Sequence, residues 1–128
     1  MRLLLDTHAL LWWMFEPEKL SGQATRWLLD PDNDLLWSAA STWEMAIKSR
    51  TGKLRLPPDL PAFVARVMRE QGFVPLAVEH SHSSHVATLP DYHRDPFDRL
   101  LVAQAILEGV AILSIDEALD PYGIERIW

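Results

Sequence analysis

The sequence predicts an open α/β fold, a parallel sheet with helices on both of its faces. Three observations predict it. Short apolar runs of strand length, such as residues 2–5 and 110–114, alternate with segments whose apolar residues recur at helical spacing. Proline, glycine and Asp or Ser caps punctuate the junctions between them. The chain has 128 residues, 48% of them hydrophobic, which suits one domain with a real core and argues against disorder. A single domain over residues 1–128 is expected.

Residues 2–5 read as the first strand, with Asp6 at its carboxyl end. Residues 7–15 read as a helix stopped near Pro17. Ser21 is a good N-cap for a second helix to residue 29, ended before Asp30-Pro31. Residues 34–39 form a second strand. Ser41 opens a third helix that runs to Arg50 and ends at Gly52. Asp59 or Leu60 opens a fourth, with Phe63, Val64, Val67 and Met68 on its apolar face and Gly72 as its stop. Residues 73–78 form a third strand. Pro75 has no N–H to give the ladder, which places that strand at a sheet edge. Residues 81–89 suggest a short helix. Asp95 caps, and Pro96 begins, a long helix that reaches Glu108 and ends at Gly109. A strand over 110–114 follows, with Asp116 just past it, and residues 124–128 form the last strand.

Composition narrows the function classes. The chain has no cysteine, so disulfides and thiolate metal sites are excluded. Asp6 and His8 break the apolar start, and no apolar segment is long enough to span a bilayer, so a soluble, non-exported, cytoplasmic chain is expected. The net charge of −6 argues at first against nucleic acid. Its distribution changes that reading: Lys48, Arg50, Lys53, Arg55, Arg66 and Arg69 share a stretch with Asp59 as its only acid. Such a stretch is ordinarily a solvated face, yet a basic patch on an acidic protein can bind phosphates.

Four acids carry the chemistry. Each also has a purely structural explanation. Asp6 can cap the helix after the first strand. Glu44 completes a Ser41-x-x-Glu44 capping box, or pairs with Lys48 four residues on. Asp98 is a favourable first-turn acid, and it shares the apolar face of Leu101, Val102 and Ala105. Asp116 can cap a turn, oriented by Ser114, while Asp95 is best explained as the cap of the long helix. These roles share one consequence, because all four carboxylates gather at the carboxyl rim of the sheet, where ligands bind in such folds. Two like charges 4 Å apart repel by roughly 4 kcal/mol at an effective dielectric near 20. A divalent cation with hard oxygen ligands, Mg²⁺ or Mn²⁺, relieves this, and such ions activate water at a phosphodiester.

The remaining candidates read as structural. His80, His82 and His85 have metal-like spacing, but without cysteine, at a strand-to-helix junction, they read as surface residues. His93 orders the loop before Asp95, and His8 packs at a helix start beside Asp6. The six tryptophans mostly fall on apolar faces and suit core or dimer packing.

Several stretches then fit one pattern in order along nearly the whole chain. They are residues 3–12 (Leu-Leu-Leu-Asp-Thr-His-Ala-Leu-Leu-Trp), residues 38–48 (Ser-Ala-Ala-Ser-Thr-Trp-Glu-Met-Ala-Ile-Lys), Gly52-Lys53-Leu54, Leu89-Pro90 with residues 93–105, and Leu113-Ser114-Ile115-Asp116. Together they resemble the PIN-domain family, in particular the VapC-like toxins of bacterial toxin–antitoxin pairs. The resemblance implies a Rossmann-like three-layer α/β/α sandwich with about five parallel strands. It implies metal-dependent endoribonuclease activity with Asp6, Glu44, Asp98 and Asp116 as the acidic site, Asp116 being the most variable position of the pattern. Ser114 matches the Ser or Thr ahead of the last acid. Lys48, Arg50, Lys53 or Arg99 would steer the RNA backbone. A homodimer and a co-expressed VapB-like antitoxin that blocks the site are implied as partners. Rival readings fit less well. A receiver-type phosphotransfer domain needs adjacent acids after the first strand and a phosphoacceptor Asp after the third. A haloacid-dehalogenase-type phosphatase needs an acid where His8 stands. A non-catalytic RNA- or partner-binding module is the remaining alternative.

Overall fold

Three consecutive leucines decide where the sheet lies. Leu3, Leu4 and Leu5 are all fully buried, and a strand whose successive side chains point to opposite faces can achieve this only if both faces are covered. In the computed structural model, which describes residues 1–128, they form β1 (Arg2–Leu5), the middle of a five-stranded sheet. β2 (Asp34–Ser38) pairs on one side of β1 and β4 (Ala111–Leu113) on the other. β3 (Val74–Leu76) and β5 (Arg126–Ile127) are the edges, and every pairing is parallel. The order is β3-β2-β1-β4-β5. Pro75 thus lies at an edge, as its missing N–H demands.

The alternation of side chains sorts the core into two layers. Leu3, Leu5, Leu35, Trp37 and Leu113 face one way. They pack under α1 (Thr7–Phe15), α2 (Gly22–Leu29) and α4 (Leu60–Gln71), through Ala9, Leu10, Leu28, Phe63 and Val67. Leu4, Leu36 and Ile112 face the other way, beneath Leu101, Val102 and Ala105 of α6 (Pro96–Glu108). Each fully buried leucine contributes roughly 1.5–3 kcal/mol. No helix is long and apolar enough to cross a membrane.

Helix ends follow the cap chemistry of the sequence. Ser21 accepts from the Ala24 N–H at 2.9 Å and Asp59 from Ala62 at 3.1 Å. Asp95 accepts from the Phe97 and Asp98 amides at 2.8 and 3.2 Å. Gly72 and Gly109 close α4 and α6 at φ 71° and 64°, a left-handed conformation that suits glycine.

Three expectations are corrected. The third helix, α3 (Ala39–Arg50), begins before Ser41, and β2 runs into it without a loop. Its cap is Ser38, which accepts from Ala40 N–H at 3.0 Å. Ser41 therefore lies inside the helix, where its buried hydroxyl accepts from Thr7 Oγ1 at 2.9 Å, and the Ser41–Glu44 capping box does not form. The segment expected as one helix over 81–89 divides into α5 (His80–His85) and a 3₁₀ turn, Val86–Thr88. Within α5, His82 is buried against α6 and is not a surface residue. Its Nδ1 accepts from Glu79 N–H at 2.9 Å and its Nε2 lies 3.1 Å from Glu108 Oε1.

Candidate active site

In a parallel sheet the carboxyl ends of all strands share one rim, and ligands settle where neighbouring connections leave in opposite directions. Here that place lies between β1 and β4. Asp6 stands one residue beyond β1. Its N–H donates to the Leu113 carbonyl at 3.1 Å, so the ladder continues one step past the strand and fixes the Asp6 backbone. The side chain is 3% exposed. Its Oδ1 accepts from Ala9 N–H at 2.7 Å, which makes Asp6 the cap of α1, and its Oδ2 accepts from the Ser114 hydroxyl. The structural and chemical roles of Asp6 therefore coincide.

Ser114, fully buried at the end of β4, is expected to orient Asp116. Its hydroxyl accepts from the Asp116 backbone N–H at 3.0 Å, and it also donates across the ladder to Asp6, because the two residues follow adjacent strands. Asp116 caps the 3₁₀ turn Glu117–Tyr122 by accepting from Ala118 N–H at 3.0 Å. Glu44 points inward from α3, also 3% exposed, with Lys48 Nζ 2.5 Å from its Oε2. Asp98 projects from the first turn of α6, and Asp95 is occupied as that helix's cap.

Electrostatics tie these acids together. Burial raises the Asp6 carboxyl above its ordinary range against the bonds from Ser114 and Ala9, and the Asp116 charge raises it further. Asp98 is pushed to about 7, first by burial, then by the charge of Asp95, with His93 opposing and the charges of Asp6 and Glu44 adding to the rise. Lys48 compensates only Glu44. The donor set is thus all carboxylate oxygen, largely dehydrated and short of positive charge, which is what a hard divalent cation binds.

His93 is the residue that sequence reasoning missed here. Its Nε2 lies 2.7 Å from Asp116 Oδ2 and 3.3 Å from Asp98 Oδ2. Its place two residues before a helix cap predicts loop ordering, which it does through Asp95 N–H, and gives no hint of Asp116. Among the basic candidates, Lys48 and Lys53 line a cleft of about 440 Å³ together with Arg55, His8 and Trp12. Arg50 is exposed in the last turn of α3 and does not line it. Arg99 departs from its expected steering role. Its guanidinium donates to the carbonyls of Pro90, Val86 and Leu89 at 2.8, 3.1 and 3.3 Å and to the Tyr122 hydroxyl at 3.3 Å. These bonds turn the planar fork into a clamp on the loop before α6.

Sheet order and acidic rim define a Rossmann-like α/β domain with acidic side chains at the carboxyl ends of its central strands. The sequence model of the PIN domain matches residues 3–124, and the chain belongs to that family. It is 28% identical over 119 residues to Ribonuclease VapC22 of Mycobacterium tuberculosis, covering 91% of this chain and 88% of that one. A shorter match of 56 residues, 46% identical, joins it to Ribonuclease VapC16 of the same organism, across 44% of this chain and 40% of that relative. Among solved structures, VapBC2 from Rickettsia felis bound to a promoter DNA fragment superposes with a TM-score of 0.73 at 11% identity, covering 99% and 98% of the two chains. VapBC-1 from nontypeable Haemophilus influenzae gives 0.68 at 14% identity, covering 99% and 97%. At such identities these likenesses establish the shared fold.

Proposed function

We propose that this protein is an endoribonuclease that hydrolyses RNA phosphodiester bonds, and that it is the toxin of a toxin–antitoxin pair. The observation that carries the reading is that Asp98, pushed to about 7, feels the charges of Asp95, Asp6 and Glu44 together. The names of the two ribonuclease relatives and the VapBC fold likenesses support it. Asp6, Glu44 and Asp98 would hold the metal, Mg²⁺ or Mn²⁺, with Asp116 at the open side. A bound divalent ion supplies an activated water and neutralises charge that develops on the phosphate.

The chain's own residues do the rest. Ser114 and Ala9 N–H hold Asp6 by both oxygens. Lys48 reaches both Glu44 and the adjoining cleft, so it connects the acids to the Lys53 and Arg55 side chains that would receive the RNA backbone. A homodimer and a VapB-like antitoxin are the partners this reading includes. A basic side chain of that antitoxin would block the site by charge complementarity.

The test is induced expression of the wild-type protein and of Asp6→Asn, with growth and transcriptome-wide RNA ends as readouts. Wild-type expression should arrest growth and create new RNA ends, and Asp6→Asn should do neither while still folding and binding RNA. RNA ends unchanged by the wild-type protein would leave a non-catalytic binding module instead.

A further inference from the structure

The loop before α6 is held by more bonds than a helix start needs, and it carries His93 to the edge of the acidic site. His93 Nδ1 lies 3.1 Å from the backbone nitrogen of Asp95. A backbone amide can only donate, so Nδ1 accepts and carries no proton. The single proton of the neutral imidazole then sits on Nε2, the atom 2.7 Å from Asp116 Oδ2 and 3.3 Å from Asp98 Oδ2. A nitrogen that donates offers no lone pair to a cation. The grouping of His93, Asp98 and Asp116 within 4.8 Å has metal-like geometry, but in this tautomer its histidine cannot be a ligand.

We propose that His93 is a positioning residue of the active site: its Nε2 proton holds the Asp116 carboxylate toward Asp98, bringing the fourth acid to the cation without touching the cation itself. The inference rests on the metal-dependent reading of the acids. Two further observations support it. The Asp116 side chain is 37% exposed while that of His93 is 16% exposed, so the better-buried group restrains the freer one. The ring is also anchored from behind. His93 N–H donates to the Tyr122 hydroxyl at 2.9 Å, and Tyr122 ends the same 3₁₀ turn that Asp116 caps. Arg99 donates to that hydroxyl and to the loop carbonyls. Loop, turn and α6 are thereby joined around one imidazole, which sets the separation of two acids from different elements.

The experiment is calorimetric titration of Mn²⁺ into the full-length wild-type protein, His93→Ala and His93→Gln, with pulsed EPR of bound Mn²⁺ to detect directly coordinated nitrogen. Glutamine keeps an N–H donor at a reach similar to Nε2, and alanine keeps none. Loss of a side chain that orients a metal ligand lowers metal affinity roughly 10–100-fold. Alanine should show such a loss, glutamine should stay closer to wild type than to alanine, and bound Mn²⁺ should show no ¹⁴N coupling that depends on His93. An alanine variant with wild-type affinity overturns the inference, and so does a glutamine variant as weak as alanine. A ¹⁴N coupling present in wild type and absent in His93→Gln overturns it as well, because His93 is then a ligand. That arm needs no folded alanine variant. A wild-type protein that takes up no Mn²⁺ overturns the metal reading itself, and is thereby told apart from failure of the His93 role alone.

Discussion

Asp98 ties the pH response of the site to its chemistry. Burial and the neighbouring charge of Asp95 push its carboxyl up to about 7 in the folded protein, well above the ordinary carboxylate range of the unfolded chain. Between that range and the folded value the folded chain holds a proton that the unfolded chain has released, so the metal-free protein loses stability as pH rises through this window. The full difference for this one group is at most ~4 kcal/mol. Thermal melts in a chelator should therefore show the wild type losing more Tm between pH 5 and pH 7.5 than Asp98→Asn, with added Mn²⁺ narrowing the gap at pH 7.5. An identical pH slope in the two proteins refutes the assignment. The four acids are legible in sequence because each interrupts or borders an apolar pattern, and a carboxylate in such a place needs a reason. The partners that orient them are not legible. Ser114 meets Asp6 across 108 residues and His93 meets Asp116 across 23, and no local pattern encodes either pairing.

At the scale of elements, caps and stops act within a turn of backbone, so the sequence reveals them. Ser21, Asp59 and Asp95 each cap the helix they are expected to cap, and Gly72 and Gly109 stop theirs. The start of α3 is different. Ser41 with Glu44 is the stronger local signal, but β2 pairs as far as Ser38 with Leu76, and Ser38 then already holds the cap position. Sheet register thus decides which serine opens the helix. The loop before α6 shows the same dependence on distant contacts, because Arg99 reads as a free cation until the carbonyls around it are known. Arg99→Ala should cost ~2–3 kcal/mol in urea denaturation, from partly buried carbonyls left without a charged donor. It should also weaken Mn²⁺ binding through the loosened loop. Arg99→Lys should restore little of either, because an ammonium cannot span the four oxygens. Wild-type stability in the alanine variant would contradict the clamp.

Across the whole molecule, the alternation of strands and helices predicts a parallel sheet and two covered faces, and the burial of Leu3, Leu4 and Leu5 agrees. The order of strands is beyond such reasoning, because parallel crossovers can place β4 beside β1 or beside β3 with the same local sequence. Leu4 reports on the layer that α6 covers. Leu4→Ala, at a fully buried site between Leu36 and Ile112, should destabilise the fold by ~2–5 kcal/mol in guanidinium unfolding. A loss below 1 kcal/mol would mean that this layer is not tightly packed.

Asp6 and Ser114 each stand one residue past neighbouring central strands, and the Asp6 amide still pairs with Leu113. The spacing between those two backbones is therefore a rung of the ladder, about 4.8 Å, and belongs to no loop. Insertions at the far rim, around Asp30 and Asn33, should pass unnoticed by the cation seat. The sheet acts as a gauge block for this part of the chemistry, so the Asp6–Ser114 pairing should persist through loop fraying and be lost only when the central strands separate.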